Sequence, residues 1–217
     1  MTTSSRFHAR LAGALYLVPM VLGPFSMMFV PSKVLVAGDA AGTLARFTAS
    51  ESLFRLGIAS DLLIVLSELA LTAVLFVVFD RVNRALALTA TFARLAMTAM
   101  QGANLMLSLG ALSVAARGDA AQTLSLLEVH GQGMHLWETV FALHCLVLGV
   151  LVFRSGFVPK VFGLLLALAG AGYALNGLGS LLVPSMAPVF AGIVGLTAVV
   201  GEVPFVFWLL IKGVKSE

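Results

Sequence analysis

The chain has 217 residues, 60% of them hydrophobic and only 11% charged, with a mean hydropathy of +1.05. An ordinary soluble domain is about a quarter charged, so this chain cannot dress a water-facing surface, and a disordered chain would be more polar still. The net charge of +3 does not point to nucleic acid, because the basic residues punctuate apolar runs instead of forming a patch.

A bilayer core about 30 Å thick takes roughly 20 apolar residues per helix. Six segments meet that length: 11–30, 53–79, 85–114, 132–153, 160–183 and 189–211. The first follows a basic lead, SRFHAR, but no A-x-A-type site comes at the right distance, so it reads as a membrane helix and not a cleaved signal. Pro19 and Pro24 interrupt it, which neighbouring helices can accommodate. The second carries Asp61 and Glu68, seven residues apart and therefore on one face, with Thr72 extending the stripe. On the third, Arg94, Thr98, Gln101, Asn104 and Ser108 fall within roughly a third of the circumference, so that face meets other helices and not lipid. The fourth holds Glu138 and His144, with His130 and His135 at its outer end. The fifth spaces Gly163, Ala167, Gly170, Ala174 and Gly177 for close helix packing, with Tyr173 and Asn176 read as hydrogen-bonding a neighbour. The sixth sets Glu202 two residues before Pro204, which removes a backbone donor and predicts a kink.

The connecting segments are too short for a separate domain, so residues 1–217 read as a single membrane domain: an all-α bundle of six transmembrane helices. The longer connections, 31–52 and 115–131, are expected to be outer loops carrying short interfacial helices. With the N-terminus inside, the inner side collects Arg6, Arg10, Arg81, Arg84, Arg154, Lys160, Lys212 and Lys215, against Lys33, Arg46 and Arg117 outside. That asymmetry predicts cytoplasmic N- and C-termini.

Ionisable groups inside a span cost roughly 2.5–3.5 kcal/mol each on insertion scales, so those that persist need a reason. Counting about 1.5 Å per residue from the inner basic anchors places Glu68, Arg94, His144 and Glu202 at one depth, near the midplane. Asp61 and Glu138 fall roughly 10 Å further out. The expected polar centre is Asp61, Glu68, Arg94, Gln101, His144 and Glu202, with Glu68 or Glu202 paired to Arg94. Arg55, His130 and Glu138 are outer-layer candidates, with Asp61 expected near Arg55 or His130. One reading is a lock that fixes helix register; the other is a proton relay, ion path or substrate site. A lock needs one carboxylate, and this chain carries four in its spans.

No cofactor is expected. His130 and His144 have the spacing of paired haem ligands, but no second helix offers matching histidines, so haem is not expected. Glu68, His144 and Glu202 are the weak candidates for a metal; no Cys cluster or H-E-x-x-H supports one, and the single Cys145 excludes an internal disulfide. Walker A, dinucleotide-binding and G-x-S-x-G motifs are absent.

The segments ESLFRLGIASDLL, VNRALAL, HGQGMH and VGEVPFVFWLLIKG resemble an uncharacterised bacterial family of six-span integral-membrane proteins, a domain of unknown function. The resemblance covers roughly 10–212 and includes Arg55, Asp61, His130, His144 and Glu202. It implies an acidic residue at the position of Glu68, whereas Glu138 departs from the pattern. It implies a bacterial inner-membrane location and no particular activity. Three classes stay open: an accessory or sensory membrane subunit, a small-solute or proton-coupled transporter, and an intramembrane metal-assisted enzyme acting on a lipid-like substrate. The expected partner is the lipid bilayer, not nucleic acid, with a second copy or another membrane protein also open.

Overall fold

The computed structural model describes residues 3–213, so Lys215, counted above on the inner side, lies outside the described residues. Helix α1 (Thr3–Gly23) continues through a π-helical turn (Pro24–Phe29) into the short α2 (Val30–Val34). Then follow α3 (Ala40–Ala49), α4 (Glu51–Phe79), α5 (Arg84–Ala115), α6 (Ala120–Arg154), α7 (Lys160–Leu182) and α8 (Ala187–Ile211). Six helical stretches among the described residues are long and apolar enough to cross a membrane, the first running from Arg6 to Val34. The protein is an all-helical, six-span membrane bundle.

The spans pack in chain order and close on themselves: α1 on α4, α4 on α5, α5 on α6, α6 on α7, α7 on α8, and α8 back on α1. Two of the turns between them are defined by side-chain caps. Asn83 Oδ1 accepts the Leu86 N–H at 3.0 Å to start α5, and Asp119 Oδ1 accepts the Gln122 N–H at 3.0 Å to start α6. Gly118, at φ 75°, supplies the left-handed residue that lets the chain reverse just before that cap.

The bundle sets a polar band within an apolar interior and is apolar outside. Leu56, Leu62, Leu63, Leu66 and Leu69 are exposed along α4, while Ser60, Asp61, Ser67, Glu68 and Thr72 of the same helix are buried. Arg94 heads the fully buried side chains by volume. Lipid tails are as apolar as leucine, so hydrophobicity does not draw these helices together; close packing and interhelical hydrogen bonds do. Ser67 Oγ donating to the α1 carbonyl of Leu15 at 2.8 Å is one such bond.

One expectation needs correction. Residues 115–131 are not an outer loop with a separate interfacial helix, because α6 starts at Ala120 and runs unbroken for 35 residues, about 52 Å. The Asp119 cap starts the helix early, and Gly131 and Gly133 lower its propensity without breaking it. The other long connection does hold a short helix, α3, which packs against α6. Val30, Val34, Phe47, Phe54 and Ala111 form an apolar cluster there, with Leu126 and Leu127 of the α6 extension against it. The end of the bundle away from the termini is thereby capped. The kink expected at Pro204 does not end α8, which contains that residue within one continuous helix.

The α6–α7 contact is backbone on backbone. A Cβ added to Gly163 would lie 2.6 Å from the Gly149 carbonyl oxygen and 2.7 Å from the Phe153 nitrogen. Neither atom can move without moving its helix. Gly163→Ala is therefore expected to cost about 1–3 kcal/mol, the usual penalty of overpacking. Thermal unfolding in mild detergent would show it, and an unchanged midpoint would mean the helices can separate freely.

Candidate ligand cavity at the centre of the bundle

The stripe on α5 and the acidic face of α4 meet on the bundle axis. Arg94 is 1% exposed, and its Nη2 lies 2.5 Å from Glu68 Oε2, a charge contact rather than an aligned hydrogen bond. Nη1 reaches the Tyr16 hydroxyl of α1 at 3.3 Å and His144 Nε2 of α6 at 2.9 Å. The guanidinium also sits over the rings of Tyr16, at 4.9 Å, and Phe141, at 5.7 Å. One cation thus ties α1, α4, α5 and α6 together.

His144 is fixed from both sides. Its Nδ1 lies 2.9 Å from the Ala90 carbonyl, which can only accept, and its Nε2 faces a guanidinium, which can only donate. The ring is therefore the Nδ1–H tautomer, with its remaining lone pair given to Arg94. That leaves His144 no free nitrogen for a metal, and Glu68, the second weak candidate, faces Arg94.

Glu202 of α8 takes a different partner. Among the described residues it makes no hydrogen bond or ion pair with Arg94; its Oε1 accepts a hydrogen bond from the Tyr173 hydroxyl at 2.8 Å. Glu68, Arg94 and Glu202 nevertheless line one cavity of about 210 Å³, together with Tyr16, Phe141 and Tyr173. Every one of the six spans contributes a lining residue: Tyr16, Glu68, Arg94, Phe141, Tyr173 and Glu202 come in turn from α1, α4, α5, α6, α7 and α8. Pro19, Met20, Pro24, Ala198, Val199, Val203 and Val206 complete the wall on the α1–α8 side, where Val199 is 60% exposed.

The remaining predicted residues fall elsewhere. Asp61 lines a smaller pocket further out, together with His130, Ser26 and Ser108. Arg55 is not part of it, a correction to the expected outer layer: it points outward, 61% exposed, and pairs with Glu51 at 2.8 Å. The two residues are one helical turn apart, so Arg55 satisfies its charge locally at the interface. Glu138 stands apart from both pockets, accepting from Asn176 Nδ2 at 2.7 Å and facing His135 Nδ1 at 3.3 Å. Gln101 is buried between the two depths, and among the described residues neither amide atom has an aligned partner. Sequence reasoning missed Tyr16 and Phe141. A signal for Tyr16 existed, since the chain has only two tyrosines and both line the cavity. Phe141 had none, being one of 15 phenylalanines in an apolar chain.

The sequence matches the model of a domain of unknown function, DUF4386, over residues 11–213, a range that contains every residue of both pockets. The chain belongs to this family. An uncharacterised protein of the archaeon Archaeoglobus fulgidus is similar, 39% identical over 75 residues. That match takes in 35% of this chain and 43% of the archaeal protein, so less than half of the relative's length is covered. No solved structure matches the chain. Membership assigns no activity, and the helical, membrane-like architecture is that of the structure itself.

Proposed function

We propose that this protein is a small-solute carrier that takes an organic cation with apolar substituents into the axial cavity, with Glu202 as its counter-ion. The observation that carries this reading is the single cavity to which all six spans contribute. Within it, Glu68 and Arg94 cancel, which leaves Glu202, held by Tyr173, as the uncompensated carboxylate. A buried negative charge walled by Tyr16, Phe141 and Tyr173 suits an ammonium group, which aromatic faces attract, more strongly when desolvated. The size fits too: a dry cavity of about 150 Å³ holds benzene, and this one is larger. The apolar rim at Pro24 and Val199 favours entry of a solute already dissolved among lipid tails. A proton and the cation compete for the same carboxylate, which is the elementary requirement for exchanging one against the other.

The distribution of basic residues supports cytoplasmic termini, and the membrane proposed is the cytoplasmic (inner) membrane of a bacterium. The test uses benzyltrimethylammonium, an aryl ammonium of suitable size, in titration calorimetry and in pH-gradient-driven flux from liposomes. Saturable binding is expected, weakened at least tenfold in Glu202→Gln, whose side-chain carbonyl still accepts the Tyr173 hydrogen bond. No saturable binding by the unsubstituted protein, or equal binding by Glu202→Gln, would refute the reading. Binding without flux would reassign the same cavity to a sensory or accessory subunit.

A further inference from the structure

The second pocket carries its own chemistry. We propose that the cavity beside Asp61 is a binding site for a small monovalent cation, sodium, separate from the axial cavity. It measures about 50 Å³ and is lined by Ser26, Asp61, Ser108 and His130 among apolar neighbours. Asp61 is 9% exposed and has the Ser26 hydroxyl as its neighbour, and among the described residues its Oδ1 meets no other polar side chain and no cation. Arg55, the nearest cation in sequence, is committed to Glu51 on the outer face. A buried carboxylate without a counter-charge is costly, so it is offset by a proton or by a bound cation, and the oxygens around it suit the cation.

The backbone supplies a further ligand. Ser26 lies in the π-helical turn Pro24–Phe29, and two N–H groups could reach its carbonyl in helical register. The first, on Val30, is given to the Phe25 carbonyl. The second would belong to Pro31, which has none. The Ser26 carbonyl is therefore the candidate backbone ligand at the end of the first span, where Val30 and Pro31 themselves line the pocket. Unwound carbonyls beside a carboxylate are a recurrent way for membrane proteins to hold sodium.

The donor set selects the ion. Asp61, the hydroxyls of Ser26 and Ser108 and one carbonyl are hard oxygens, which suit neither zinc nor copper. A single carboxylate balances one charge, so a divalent ion would leave an excess inside the membrane. Four or five oxygens are too few for potassium, which takes a full cage of carbonyls in its filters. A pocket of this volume holds a dehydrated alkali ion with a water or two, since one water needs roughly 10–15 Å³ on the same measure. His130 also lines the pocket. Asp61 shares its helix face with Glu68 two turns inward, so an ion here sits on the same rigid element as the axial cavity.

The experiment is thermal unfolding of the purified full chain in detergent, with sodium, potassium or choline chloride at equal ionic strength. Sodium is expected to raise the midpoint saturably by several degrees, and potassium and choline are not. Asp61→Asn should abolish the sodium response, Ser26→Ala should raise the half-saturating sodium concentration severalfold, and Glu202→Gln should leave it unchanged. Indistinguishable salts, or an Asp61→Asn protein that still responds to sodium, would overturn the proposal. If Asp61→Asn does not fold, Ser26→Ala decides, and an unchanged half-saturation is then the overturning result. Because Glu202→Gln retains the sodium response, failure of benzyltrimethylammonium binding and failure of this site are separate outcomes.

Discussion

Replacing Arg94 by leucine is expected to lower the unfolding free energy by about 3–5 kcal/mol, the cost of stripping one partner from a buried ion pair. The leucine leaves Glu68 as an uncompensated carboxylate in a site that is 4% exposed. Glu68→Leu alone should cost a similar amount, by stranding the guanidinium instead. The double substitution Glu68→Leu/Arg94→Leu should be more stable than either single variant, because it removes both charges together. It should not recover fully, since Tyr16 and His144 also lose their contact with Arg94 in the double variant. Detergent unfolding of the four proteins closes the cycle. Additive losses would show that the two charges are solvated separately, and the picture of a dry ion pair on the bundle axis would fail.

The second large effect is expected at His144. His144→Leu removes a ring that holds two points of α5, the Ala90 carbonyl and the Arg94 guanidinium, and that stacks on Phe141 at 5.7 Å. The apolar packing is partly kept, so the loss comes from an Arg N–H left without its acceptor. Hydrogen bonds to charged groups are worth about 1.5–3 kcal/mol, and that is the expected destabilisation. Nitrogen NMR of labelled histidine should show the Nδ1–H tautomer in the unsubstituted protein. A stability loss under about 0.5 kcal/mol would mean that the ring packs there without bonding, since ordinary surface substitutions fall within that range.

These two results also bear on whether the polar centre is a lock or a site. Arg94 with Glu68 and His144 is sufficient as a lock, because it ties four spans through one buried cation. Glu202 is not needed for that. Its carboxylate is anchored by a neutral hydroxyl and borders the cavity, so it is the acid expected to affect ligand binding more than stability.

The six spans could be read from composition alone, because a bilayer demands a fixed length of apolar helix and charged residues interrupt it in only a few places. The shared face of Asp61 and Glu68, and the stripe from Arg94 to Ser108, followed from helical periodicity, which is local and therefore written in the chain. Depth followed from the same rule, counted at about 1.5 Å per residue. The choice of partner did not. Glu68 and Glu202 are equivalent candidates for Arg94 by depth, and only the packing of α8 against α7 sets Glu202 against Tyr173 and leaves Glu68 to the guanidinium. Arg55 shows the converse, since a charge near the interface was free to turn outward to Glu51. The two pockets likewise belong to no single segment: the larger takes one or more residues from every span, and the smaller depends on a π-helical turn meeting α4. Helix length, face and depth are properties of one segment in a membrane. Which polar groups meet, and what space they enclose, depends on the rotation of each helix about its axis, and that is settled by packing against neighbours distant in sequence.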